Sequence, residues 1–176
     1  METVNFDVIN ENETDVKIKK LSKAYLVSKR IFDLISSSIA LIVLSPIFLI
    51  IMVAIKIGSK GPAIFSHKRV GKNGKIIKVY KFRSMVNNAE EVIKNFTPEQ
   101  KAEFEKNFKL EDDPRITKIG KFLRKTSLDE LPQLLNIIIG DMSVVGPRPV
   151  VEDELERYGI YAKKFLSVTP GLTGNW

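Results

Sequence analysis

Between Leu34 and Ile55 the chain runs for 22 residues without a charged side chain, broken only by Ser36, Ser37, Ser38, Ser45 and Pro46. As a helix rising 1.5 Å per residue, such a run covers about 33 Å, the thickness of a bilayer's hydrocarbon core. A helix of this length inside a soluble domain keeps a polar face, and this one has none. A secretory signal is a poor match, because about thirty mostly polar residues precede the run and no small-residue cleavage site follows it. Insertion into a membrane is the expectation.

Charge placement constrains how it enters. Residues 11–33 carry Lys17, Lys19, Lys20, Lys23, Lys29 and Arg30 against four acids, and Lys56–Arg83 carries nine basic residues and no acid. Basic flanks stay on the cytoplasmic side. Two basic flanks suit a helix that enters and turns back. Pro46, in the middle of the run, removes a backbone donor and clashes with the preceding turn, and Ser45 beside it can bond the freed carbonyl. Proline is also common in kinked single-pass helices, so from the residues alone both topologies stand.

The whole chain has 176 residues, 44% of them hydrophobic, and a net charge of +7. That length buries the core of one domain and excludes general disorder. With no cysteine it is neither a disulfide scaffold, a Cys-ligated zinc protein nor a thiol enzyme. With His67 as its single histidine, a bound metal is held mainly by oxygen, which points to Mg²⁺.

The organisation expected is a polar leader over 1–16, an interfacial and membrane-inserted helical segment over 17–60 and a cytoplasmic domain over 61–176. Within the last, Pro62–Val70 and Lys75–Arg83 read as strands joined at Asn73-Gly74, a strong hairpin signal. Asn87–Leu110 reads as two solvated helical turns separated at Thr97-Pro98. Ile119–Ile139 has helical apolar spacing, and Val151–Leu166 reads as a further amphipathic helix. Gly140–Pro149 and Pro170–Trp176 read as loops.

Arg124-Lys125-Thr126-Ser127-Leu128-Asp129-Glu130-Leu131-Pro132 places two cations before two adjacent carboxylates. One reading is a capping box, with Ser127 capping a helix and Glu130 reaching back. The other is a phosphate site at a helix start, in which one carboxylate holds Mg²⁺ and the other attacks phosphorus. Spacing alone leaves both open. Tyr80-Lys81-Phe82-Arg83-Ser84-Met85 alternates cations with aromatics, as a membrane-surface strand also does. Arg148 is mounted between prolines, a stiff support for a diphosphate.

These segments resemble, in order over Lys29–Trp176, the bacterial sugar transferases, the monotopic polyprenyl-phosphate sugar-1-phosphate transferases. The resemblance rests on Ser45-Pro46, Arg69-Val70-Gly71-Lys72-Asn73-Gly74, Tyr80–Met85, Asp113-Pro114-Arg115-Ile116-Thr117, Arg124–Gln133, Gly140–Pro149 and Pro170-Gly171-Leu172-Thr173-Gly174. It implies an α+β, membrane-associated protein, with a re-entrant helix–break–helix hairpin turning at Ser45-Pro46. A small, mostly helical cytoplasmic domain follows, with a β-hairpin and interfacial amphipathic helices. It implies a transferase that moves a sugar-1-phosphate from a UDP-sugar to polyprenyl (undecaprenyl) phosphate, releasing UMP, on the cytoplasmic face of the bacterial inner membrane. Asp129 is then the nucleophile of a covalent phosphosugar intermediate and Glu130 the Mg²⁺ carboxylate. Arg124 contacts phosphate, Arg148 holds the nucleotide side, and Lys81 and Arg83 lie near the phosphates.

Family members continue beyond the Gly-Leu-Thr-Gly-x-Trp region, so the sequence reads as short at its C-terminal end. A catalytically incomplete relative that binds nucleotide-sugar or lipid is the alternative. A nucleic-acid partner is not expected, since the basic run abuts the apolar segment and anionic lipid accounts for it. The identity of the sugar, the glycan pathway and the oligomeric state are not encoded in these motifs.

Overall fold

A computed structural model describes residues 21–107, 110 and 112–174. The polar leader 1–16, Lys17–Lys20 and Trp176 lie outside the described residues. The elements in chain order are α1 (Lys23–Gly58), β1 (Ile64–Val70), β2 (Ile76–Phe82), α2 (Ala89–Lys94), α3 (Pro98–Asn107) and α4 (Lys118–Lys125). There follow α5 (Gln133–Ile139), β3 (Ser143–Val145), α6 (Glu152–Leu155), α7 (Ala162–Leu166) and β4 (Gly171–Thr173). The chain is thus mixed helix and sheet with one long apolar N-terminal helix.

α1 is one continuous helix of 36 residues with Pro46 inside it. The N–H that proline lacks would have bonded the Ile42 carbonyl, four residues back. The Ser45 hydroxyl donates to that same carbonyl at 2.7 Å, so the backbone group orphaned by Pro46 is satisfied within the helix. Most of the apolar side chains remain open, Ile42 at 73% and Ile57 at 82%.

Contacts divide the chain into two compact units, and the division falls between Ser45 and Pro46. The first holds residues up to Ser45, Ser66–Lys81 and those from Pro132 onward. Its core is Val70, Val150, Leu155, Ala162 and Leu166, with Ile76 and Phe165 packed against it. β1 and β2 pair as a two-stranded sheet. Asn73 (φ 55°) and Gly74 (φ 75°) between them are both left-handed, as a type I′ turn requires, and Lys75 N–H closes the turn on Lys72 O at 3.2 Å. Fully buried Asn136 extends the ladder with a side chain: Nδ2 donates to Lys78 O at 2.7 Å and Oδ1 accepts from Tyr80 N at 2.9 Å.

The second unit holds Pro46–Phe65 and Phe82–Leu131. Phe48 and Phe82 meet edge to face at 5.1 Å. Thr97 and Gln100 form a reciprocal capping box (Thr97 N to Gln100 Oε1 3.0 Å, Gln100 N to Thr97 Oγ1 3.3 Å) at the start of α3, with Pro98 in the first helical position. The Thr97-Pro98 break therefore falls where the sequence put it.

Three expectations change. Ile119–Ile139 is two helices, because Ser127 is left-handed (φ 56°) and Leu128–Glu130 is a 3₁₀ turn. Val151–Leu166 is α6, a 3₁₀ segment Glu156–Tyr161 and α7, broken at Gly159 (φ 45°, ψ −127°). The segments 140–149 and 170–176, read as loops, contribute β3 and β4, which pair in parallel with Ser143 opposite Gly171. Gly146 and Gly171 allow this pairing, since a Cβ on either would overlap the other segment's backbone.

Candidate active site

In the second unit, Ser84 organises the segment that leads to the paired carboxylates. β2 ends at Phe82, and the next side chain, Arg83, is buried (7% exposed). Its Nη1 donates to Lys60 O at 2.7 Å, and its Nη2 donates to Ser59 O and Ser59 Oγ, each at 2.9 Å. Arg83 therefore clamps the carbonyls just past the C-terminus of α1, the end where a cation is favoured.

Ser84 then supports α4. Its carbonyl accepts from Thr117 N at 3.1 Å and from Thr117 Oγ1 at 3.4 Å, and Thr117 Oγ1 caps α4 by accepting from Gly120 N at 3.0 Å. A Cβ on Gly120 would overlap the Ser84 carbonyl, so only glycine lets the helix lie this close. One turn on, Arg124 Nε donates to Ser84 Oγ at 2.9 Å. This fixes the guanidinium by one nitrogen while Arg124 stays solvent-exposed.

The same unit holds a buried ion pair. Arg115 grips Asp113 through Nε (2.9 and 3.1 Å), Nη2 (2.6 Å) and its own backbone N–H (3.0 Å), with its guanidinium over Phe104 (4.8 Å) and Phe96 (5.6 Å). Burial alone would raise the Asp113 carboxyl. The hydrogen bonds from Arg115 and the charges of Arg115 and Arg124 outweigh it and hold the group below its ordinary value of 3.8.

α4 ends at Lys125, Ser127 turns left-handed at a cost of about 1 kcal/mol, and Asp129 and Glu130 follow, half-buried, on the 3₁₀ turn. Ser127 makes no side-chain cap bond, so the capping-box reading fails. The two carboxylates also do not begin an α-helix. They sit on a turn of their own, and α5 starts at Gln133.

Arg148 belongs to the first unit, as does Lys81, half-buried near the end of β2. Gly171 N donates to Pro147 O at 2.8 Å and Val70 N to Val150 O at 2.8 Å, so the exposed Arg148 is pinned on both sides. α1 also holds this loop. Asp33, buried beside the apolar run, accepts from Ser143 Oγ and Val144 N, each at 3.0 Å, and Lys29 Nζ donates to Ser143 Oγ and, at 2.9 Å, to Val145 O. Arg30 caps α5 through Ile137 O (2.6 Å) and Ile138 O (2.8 Å).

Of the predicted residues, Arg83, Arg124, Asp129 and Glu130 thus share one unit and Lys81 and Arg148 the other. Sequence reasoning missed Ser84, Lys29, Asp33 and Ser143. The available signal was Asp33, a lone acid four residues after Lys29 at the edge of an uncharged run.

Among the described residues no three acidic or histidine side chains gather into a metal site. The donors at the Asp129-Glu130 turn are two adjacent carboxylates. That set fits Mg²⁺, which takes one or two carboxylates and completes its shell with water and substrate phosphate.

α1 is long and apolar enough to cross a membrane, and a pinned Arg124 precedes the paired carboxylates. The chain belongs to the bacterial sugar transferase family, whose model matches residues 24–176. It is 51% identical over 162 residues to an undecaprenyl-phosphate galactose phosphotransferase of Salmonella typhimurium, covering 90% of this chain and 33% of that protein. It is 51% identical over 153 residues to the exopolysaccharide production protein ExoY of Sinorhizobium fredii, covering 85% of this chain and 68% of that one. It is 46% identical over 154 residues to a UDP-glucose:undecaprenyl-phosphate glucose-1-phosphate transferase of Klebsiella pneumoniae, covering 85% and 30%. The chain therefore spans about a third of the longer relatives and about two thirds of the shorter.

Proposed function

We propose that this chain transfers a sugar-1-phosphate from a UDP-sugar to polyprenyl phosphate at the cytoplasmic face of the bacterial inner membrane, releasing UMP. The observation that carries the reading is the order along one short stretch: Arg124, held through Nε by Ser84, then Asp129 and Glu130 on their own turn. Family membership supports it.

An Asp129 carboxylate oxygen attacks the phosphorus that bears the sugar. The bond from that phosphorus to the bridging oxygen breaks, and the oxygen leaves with UMP. The acyl phosphate left on Asp129 is then attacked by an oxygen of polyprenyl phosphate, which frees the carboxylate and forms the polyprenyl diphosphate sugar. Glu130 would hold Mg²⁺, which when bound neutralises phosphate charge. Arg124 contributes the same neutralisation from a fixed position, and Arg148 holds the nucleotide's phosphate. Lys81 is assigned to the phosphates as well. Arg83 serves the site by seating Ser84 against the end of α1. The two-step route suits one substrate that arrives from water and one from lipid.

α1 is read as re-entrant and monotopic. Its basic flanks at both ends favour a helix that turns back.

The test is UMP release by the solubilised protein with Mg²⁺, undecaprenyl phosphate and a panel of UDP-sugars. Release with one sugar, abolished in Asp129→Asn, is the expected result. No release with any sugar overturns the reading.

A further inference from the structure

We propose that the pocket lined by Tyr158, Tyr161, Lys164 and Phe165 against Gly146-Pro147 binds the nucleobase of the nucleotide donor. This rests on the reading of the chain as a nucleotide-sugar transferase and adds to it a subsite and its chemistry.

The pocket is built by local geometry. Tyr158 and Tyr161 flank the break at Gly159 within Glu156–Tyr161, Phe165 follows four residues on in α7, and all three line the same pocket. Tyr158 and Phe165 form one aromatic wall with centroids 4.3 Å apart. Gly159, at φ 45° and ψ −127°, holds a conformation closed to other residues, yet a Cβ there would meet nothing within 4 Å. The glycine serves the backbone turn that presents the tyrosines, not close packing.

The core takes Phe165 from this face and leaves the tyrosines outside it. Leu155, Ala162 and Leu166 supply the segment's buried side, while Tyr161 remains 56% exposed. The space in front is about 410 Å³, within the range of small-ligand sites. Its lining combines aromatic faces with two phenol hydroxyls and the Lys164 ammonium, and Pro147 leads directly to Arg148. An aromatic floor suits a flat π-system, and the adjoining cations suit phosphates. In a nucleotide-sugar two phosphates separate base from sugar, so the pocket beside the nucleotide-side arginine takes the base.

Titrating UMP into the detergent-solubilised chain, with ribose 5-phosphate as the base-free control, tests this by calorimetry. Tyr161→Ala should weaken UMP about tenfold, since one stacked base is worth about 1–3 kcal/mol, and leave ribose 5-phosphate unchanged. Tyr161→Phe, which keeps the ring, should bind UMP like wild type. The proposal is overturned if wild type binds no UMP, if Tyr161→Ala binds it equally well, or if the variant loses UMP and ribose 5-phosphate alike. Binding of UMP needs no turnover, and Asp129→Asn should retain it. Failure of the transfer reaction is therefore read separately from failure of this subsite.

Discussion

Arg124 and Ser84, forty residues apart, are joined by a 2.9 Å hydrogen bond from Nε to Oγ, on a helix that Gly120 allows to rest on the Ser84 backbone. Ser84 is thereby the positioning residue for the cation that precedes the paired carboxylates.

Removing that acceptor should cost function more than fold. Ser84→Ala forfeits one hydrogen bond, about 1 kcal/mol of stability, and frees the Arg124 guanidinium to wander. UMP release should fall about tenfold, while the melting temperature moves by a few degrees. Gly120→Ala should be worse on both counts, because its methyl meets backbone that cannot yield. Kinetics and thermal melts of the two variants check the order.

Asp113 and Arg115 should set the acid limit of folding. The Asp113 carboxyl is held below its ordinary 3.8. The unfolded chain therefore binds the proton more readily, and the pair's stability is fully present above that value and lost as pH falls through the lowered one. Asp113→Asn should destabilise by about 3 kcal/mol at pH 7, since it leaves Arg115 buried without its counter-charge. It should also flatten the loss of stability below pH 4. Denaturant melts of both proteins from pH 3 to 7 measure this.

Asn136 is the next structural wager. Its amide satisfies Lys78 O and Tyr80 N in a site with no access to water. Asn136→Ala leaves both groups unpaired and should cost about 2–4 kcal/mol. Asn136→Asp, which keeps the acceptor but cannot donate to Lys78 O, should also destabilise. Urea unfolding midpoints check both.

The topology of α1 can be read by labelling, because the chain has no cysteine of its own. Lys23→Cys and Lys60→Cys mark the two ends. In intact cells neither should react with a membrane-impermeant maleimide, and both should react in inverted vesicles. Labelling of one end from outside would make α1 a single-pass helix.

What the sequence made legible is local. Asn73-Gly74 dictates its turn, Thr97-Pro98 its helix start, and Ser45 lies within reach of the carbonyl that Pro46 strands. What it hid depends on partners distant in the chain. The β3–β4 pairing joins segments whose local pattern is that of loops. Asp33 looks like a stray charge until Ser143 is brought to it. Arg83 reads like a phosphate ligand, yet its Nη atoms are occupied by Ser59 and Lys60. The left-handed Ser127 splits an apolar run whose spacing continues across it. Asp129 and Glu130 were legible as a pair, and the turn that carries them was not.

The central claim is that Asp129 carries the phosphosugar. The protein incubated with Mg²⁺ and a UDP-sugar labelled with ³²P on the phosphate next to the sugar, without polyprenyl phosphate, should take up label covalently. Adding undecaprenyl phosphate should discharge the label to lipid, and Asp129→Asn should take up none. A wild-type protein that makes labelled lipid without ever becoming labelled, or an Asp129→Asn variant labelled like wild type, would contradict the account.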